Sequence, residues 1–310
     1  VHDVNDSGKR IFGIVIPFFS NINYLLKLTD SLLNQSDRRF EVLIIDDSGK
    51  NLVTSEFLQN QLDYRFALLT NEKNLGPFLS WNAGISHLLS RQKYKILSIV
   101  HADDLLDRDY VKNAIKSLDE HPDVDIFHSK VKIIGSNGRR KFSFLDFVKS
   151  LSNFGSSGQP VQSFGDVGLV RILRNNFVFC PTMIFNVSKF NSIEFDTRWN
   201  MVSDLDFISM ALLEGRSLLQ LPEKNYLYRR HNNNLTSELT RTTKRFEEEI
   251  ELYGQLESTC RDFGFDKSAT AAKKARMIKL HITYRLMISL FRSDFAGFRR
   301  LFNVLLTIGK

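Results

Sequence analysis

Cysteine is almost absent from this chain: Cys180 and Cys260 are the only two in 310 residues. They lie far apart, fit neither a metal knuckle nor a disulfide framework, and suit a reducing compartment. No stretch of about 18 residues is free of charge, so nothing reads as a membrane-spanning helix. Val1 to Arg10 is polar and lacks the apolar centre of a signal peptide. These absences set the expectation of a cytoplasmic protein, although Val1 in place of Met leaves room for an upstream segment. Internal repeats and low-complexity tracts are also missing. So is a large charge imbalance, the formal net charge being +7. Most of that excess is local, because Arg241 to Lys310 holds 14 Lys/Arg against 8 Asp/Glu. A chain-wide nucleic-acid surface is therefore excluded, and the basic end is expected to face anionic lipid or an anionic polymer.

What is present is ample apolar material, 43% of the residues, enough to bury a full core. Phe12 to Ile16 and Glu41 to Ile45 are short apolar runs that read as buried parallel strands. Tyr24 to Asn34 lies between them, with Leu25, Leu28, Leu32 and Leu33 at helical spacing. Further strands are expected at Phe66 to Thr70 and Lys95 to Val100, separated by a helix near Leu79 to Leu89. This alternation predicts an open, doubly wound α/β sheet. Beyond it, Val124 to His128 and Val131 to Ile134 suggest a hairpin-like pair, Val178 to Asn186 a strand and Val202 to Leu213 a helix. Arg140 to Phe164 has no clear period. From about Thr240 the pattern is helical.

In doubly wound sheets ligands gather at the carboxyl ends of the strands. There stand Pro17 to Asn21, Asp46-Asp47, Asn71 to Gly76 and His101 to Asp104. Paired carboxylates such as Asp103-Asp104 suit Mg²⁺ or Mn²⁺ together with phosphate oxygens, but they equally suit a helix N-cap. Asp46-Asp47-Ser48-Gly49 has a plain turn as its alternative. Trp81 and Trp199 are expected in packing, with sugar stacking an alternative for Trp199.

Taken together, Ile16-Pro17-Phe18-Phe19, Ile44-Ile45-Asp46-Asp47-Ser48, Asn74-Leu75-Gly76-Pro77 with Trp81-Asn82-Ala83-Gly84, and His101-Ala102-Asp103-Asp104-Leu105-Leu106 resemble the ordered motifs of family 2 glycosyltransferases. Ser203-Asp204-Leu205-Asp206-Phe207 and Tyr228-Arg229-Arg230-His231 resemble that family's late motifs. The resemblance covers roughly residues 11–235 and implies a GT-A fold, mostly parallel, with residues 11–105 as the nucleotide-binding half and 106–235 as the acceptor half. Residues 236–310 would be a basic helical appendage. It implies an inverting, metal-dependent transfer of sugar from a UDP-, GDP- or dTDP-linked donor to a hydroxyl of a glycan or glycolipid, in surface polysaccharide synthesis.

Residue by residue, the resemblance puts Pro17, Phe19, Asp47, Asn74, Gly76 and Asn82 around the nucleotide sugar, with Phe19 against the base and Asp47 on its edge. Asp103 and Asp104 match a DxD-type motif, with Asp104 on Mn²⁺ or Mg²⁺ and Asp103 on ribose or metal. His101 stands where the family often has the first Asp. His231 would close over the diphosphate or ligate the metal, and Arg229 and Arg230 would clamp phosphates. Asp204 matches the catalytic base, a carboxylate that takes the acceptor proton. Its partner position, commonly Glu, is Ser203 here, and a helix N-cap is the alternative for Asp204.

Met277 to Phe291 and Asp294 to Ile308 are apolar helices carrying cations. Docking on the domain, contact with an anionic membrane and homo-oligomerisation are the three readings of that end. Two other readings compete with the enzyme. A nucleotidyltransferase typically has a Gly-rich loop after the first strand, whereas Pro17-Phe18-Phe19-Ser20-Asn21 has no glycine. A non-catalytic glycosyltransferase-like binding protein would explain His101 and Ser203.

Overall fold

The computed structural model describes residues 11–140, 159–175, 177–231, 239–240 and 242–308. The chain starts with β1 (Phe12–Phe18), α1 (Ile22–Leu33), β2 (Phe40–Asp46), α2 (Ser55–Gln61), β3 (Phe66–Thr70), α3 (Pro77–Ser90) and β4 (Ile96–Ile99). Strand order is β3-β2-β1-β4, all parallel. Side chains of a strand alternate between faces, and both faces here are apolar. Ile14, Ile16, Val42 and Ile44 enter one core, while Val15, Leu43 and Ile45 enter the other. Helices must therefore cover both sides. Gly84 lets α3 approach closely, since a Cβ there would sit 2.5 Å from a methyl of Val15 and 2.6 Å from Ile45.

The second half is mixed. It comprises β5 (Leu105–Leu106), α4 (Tyr110–Glu120), β6 (Ile126–Gly135), β7 (Val161–Phe164), α5 (Gly165–Asn175), β8 (Ile184–Asn186), α6 (Ser203–Leu213) and β9 (Ser217–Arg230). β8 joins antiparallel to both β4 and β6, and β6 runs parallel to β9, which also pairs with β5 and β7. The expected hairpin at 124–134 is instead one strand, β6, with a register shift between Ser129 and Val131. A bulge absorbs the polar Ser129-Lys130 without turning the chain. The expected strand at 178–186 is shortened to β8, because Pro181 lies in a 3-10 turn over Cys180–Thr182. Most of the irregular stretch 140–164 lies outside the described residues.

Four helices follow: α7 (Lys244–Asp262), α8 (Asp266–Lys274), α9 (Arg276–Phe291) and α10 (Phe295–Leu305). No break in packing separates them from the sheet. Phe246, Leu252, Leu256, Ala272 and Ile282 share one core with Leu169, Phe185, Phe195 and Leu205. The Tyr253 hydroxyl donates to the Leu173 carbonyl at 2.8 Å. Asp166 accepts from the Ser268 backbone and hydroxyl at 2.8 and 2.6 Å, tying α5 to α8.

Candidate active site

The carboxyl ends of β1, β2 and β4 open into a cleft of about 1350 Å³, closed on the far side by α6, α7 and the end of β9. The position follows from topology, since strand order reverses at β1 and the adjoining connections part there.

Pro17 and Phe19 line the rim, with Phe19 59% exposed, so its ring face is open to a planar partner. Asp47 also lines the cleft, and its carboxylate accepts from Asn71 Nδ2 at 2.8 Å, Leu75 N at 2.9 Å and Gly76 N at 3.0 Å. These bonds fix the 71–76 loop and leave one of about four carboxylate acceptor positions. Asn74 Oδ1 accepts from Gly76 N at 2.8 Å, and Gly76 has φ of +85°, which favours glycine before Pro77 starts α3. Asn82 is elsewhere. Its amide makes two 2.8 Å bonds with the Phe195 backbone and does not reach the cleft, so it fastens α3 to the 190–202 loop and does not hold the donor.

The 101–104 segment divides its carboxylates. Asp103 faces the cleft, with Oδ2 2.9 Å from His231 Nε2. Asp104 is 0% exposed, accepting from the Tyr226 hydroxyl at 2.7 Å and the Arg229 backbone N–H at 2.6 Å. His101, Asp103 and Asp104 can bring ligand atoms within 4.8 Å of one another, yet Asp104 has both oxygens engaged behind the cleft wall. The expected assignment of Asp104 to metal is thus corrected: it braces β9 against the segment, and Asp103 is the carboxylate presented. Burial, and then the charge of Asp103, raises Asp104 well above the usual carboxylate range. Burial also pushes Asp103 up, but the His231 hydrogen bond and nearby imidazole charge outweigh it and hold Asp103 below 3.8.

Arg229 is likewise corrected. It is 0% exposed, donating Nε to the Asp103 carbonyl at 2.5 Å and Nη1 to Gly135 and Ser136 carbonyls at 3.1 and 3.2 Å. It supports the carboxylate segment from behind and cannot clamp a ligand phosphate. Its guanidinium lies 4.7 Å over the Tyr24 ring, whose centroid is 5.3 Å from that of His231. Arg230 does line the cleft, as do Arg139 and Arg140.

Asp103 Oδ2 and His231 Nε2 at 2.9 Å are a hydrogen-bonded pair; with the proton between them displaced, they would offer one oxygen and one nitrogen to a divalent ion. The His101 ring sits beside Trp81, 5.5 Å between centroids, and burial lowers its pKa.

Asp204 lies across the cleft on the first turn of α6. The cap residue is Val202, so Asp204 is inside the helix; one oxygen accepts from Leu205 N at 2.8 Å. Asp206 does not line the cleft and accepts from Nε1 of the buried Trp199 at 3.2 Å, so the indole is a packing group. Burial chiefly, together with the Asp204 charge, keeps the neighbouring Cys180 a thiol.

The sequence pattern is helical here, as expected, but gives no sign that α7 faces the cleft. Glu248 accepts from the backbone of Asn200 and Met201 at 3.0 and 2.8 Å, fixing the approach to Asp204. Arg245 and Glu249 line the cleft as a 2.8 Å pair with side chains 16% and 9% exposed. At i,i+4 spacing they read in sequence as an ordinary solvated helix pair.

The sequence model of glycosyl transferase family 2 matches residues 13–177, more than half the chain. The chain belongs to that family. An uncharacterised glycosyltransferase of Methanocaldococcus jannaschii is 28% identical over 156 residues, 47% of this chain and 52% of that one. The poly(ribitol-phosphate) β-N-acetylglucosaminyltransferase TarS of Staphylococcus aureus is 25% identical over 229 residues, 70% of this chain and 35% of TarS. The chain thus spans about half or less of these relatives' length. The crystal structure of TarS 1–349 in complex with UDP-GlcNAc superposes with a TM-score of 0.59 over 94% of this chain and 90% of that one, at 18% identity. The glycosyltransferase fold is therefore of the GT-A type.

Proposed function

We propose that this glycosyltransferase moves a sugar, with inversion, from a nucleoside-diphosphate sugar to a hydroxyl of a glycan or glycolipid in surface polysaccharide synthesis. The observation that carries the reading is the placement of Asp103 with His231 on one wall of a single cleft and Asp204 on the other. Phe19 offers its ring to a UDP, GDP or dTDP base, and Asp47 keeps an acceptor for the base edge. Asp103 and His231 would hold Mn²⁺ or Mg²⁺, which when bound neutralises charge on the diphosphate.

Asp204 holds the base position. As the acceptor oxygen bonds to the anomeric carbon and the bond to the diphosphate breaks, its carboxylate takes the hydroxyl proton. Arg230, Arg139 and Arg140 place positive charge around the leaving diphosphate. TarS, by its name, acts on poly(ribitol-phosphate), which supports a polymer acceptor of the cell surface as the class to test.

A thermal-shift screen of UDP-, GDP- and dTDP-sugars with and without Mn²⁺ tests the reading, because a ligand of the native state raises Tm. One base class should raise Tm, and more so with Mn²⁺. No shift with any of them would contradict donor binding.

A further inference from the structure

The hairpin made by α9 and α10 leaves an apolar surface in water. α9 buries Ile278, Ile282, Leu286 and Ser289 against the domain, one face of a helix. The other face carries Leu280, Met287, Leu290 and Phe291, exposed by 56%, 49%, 53% and 89%. After a turn through Ser293, with φ of +55°, α10 begins at Phe295, 73% exposed. It buries only Gly297 and Leu301. Phe291 is the most exposed large apolar side chain among the described residues, so the hairpin tip holds two aromatic rings in solvent.

The charge around these rings has one sign. Arg292, Arg299 and Arg300 are exposed, and Asp294 is the only acidic side chain from residue 276 onward. Even Asp294 is committed, accepting from Gly297 N at 2.8 Å as the cap of α10.

We propose that this hairpin docks the protein on an anionic lipid surface, with Phe291 and Phe295 entering the interfacial layer and the arginines meeting lipid phosphates. Charge decides between lipid and a second copy of the chain. A two-fold contact sets the same surface against itself, which would bring arginine against arginine with a single, already bonded carboxylate from each chain. An anionic bilayer supplies the missing negative charge and an apolar layer for the rings. The binding is peripheral, since no helix among the described residues is long and apolar enough to cross a membrane.

The test is co-sedimentation of the full chain with vesicles of phosphatidylcholine alone, or with about a third phosphatidylserine. Binding should appear only with the anionic vesicles and weaken with salt. Arg299→Gln with Arg300→Gln should lower it by about 30-fold, and Phe291→Ser with Phe295→Ser by about tenfold or more. All four side chains are exposed, so melting temperatures should be unchanged. The proposal is overturned if wild type ignores anionic vesicles, if either double variant binds as wild type does, or if sedimentation equilibrium finds a dimer that needs Phe291.

Discussion

Removing the Asp104 carboxylate separates a brace from a ligand. In Asp104→Ala the Tyr226 hydroxyl and the Arg229 backbone N–H, both buried, lose their acceptor. A buried donor left unsatisfied costs about 1–3 kcal/mol, so the pair predicts a loss of about 2–6 kcal/mol. For a domain of this size that is a Tm fall on the order of 5–10 °C. Asp104→Asn keeps an oxygen acceptor and should lose less. Asp103→Asn, by contrast, changes a side chain that faces the cleft. It should leave Tm of the free protein within about 2 °C while abolishing the extra stabilisation that Mn²⁺ adds to nucleoside diphosphate. Paired melts with EDTA and with Mn²⁺ plus UDP, GDP or dTDP read both effects. An Asp104→Ala protein as stable as wild type but deaf to Mn²⁺ would refute the assignment and return the metal to Asp104.

Two further substitutions probe the frame around the cleft. Asn82→Ala removes two bonds to the Phe195 backbone and should cost about 2–4 kcal/mol in urea unfolding with donor Kd unchanged; a weaker Kd at full stability would put Asn82 in the donor site. His128 is buried beside Phe177, and burial, with Arg171, pushes its pKa down to about 3. The native state therefore binds fewer protons than the unfolded one, and stability falls as pH drops from 6.5 towards 3, by at most about 1.4 kcal/mol per pH unit. His128→Leu should flatten that limb, whereas an unaltered pH profile would contradict it.

Strands β1 to β4 were legible because consecutive positions such as Ile14 and Val15 are both apolar, a pattern that only a sheet covered on two faces requires. The cleft was legible because the motifs fall at strand ends. β9 was not: its run Pro222-Glu223-Lys224-Asn225 is polar, and pairing with β6 and β5 supplies what local pattern lacks. Adjacent Asp103 and Asp104 cannot be told apart by type. Their roles differ because Tyr226 and Arg229, distant in sequence, seize only one of them. The same limit applies to Arg245 and Glu249, whose helix is turned to the cleft by the packing of Phe246 and Leu252.

In the proposed reaction Asp204 accepts the acceptor's proton as the sugar is transferred. The decisive measurement is the rate of nucleoside-diphosphate release from the donor that raises Tm, for wild type and for Asp204→Asn, with donor Kd determined for both. Turnover in Asp204→Asn should fall by a factor on the order of 10² to 10⁴, with Kd essentially unchanged. Near wild-type turnover in Asp204→Asn would contradict it.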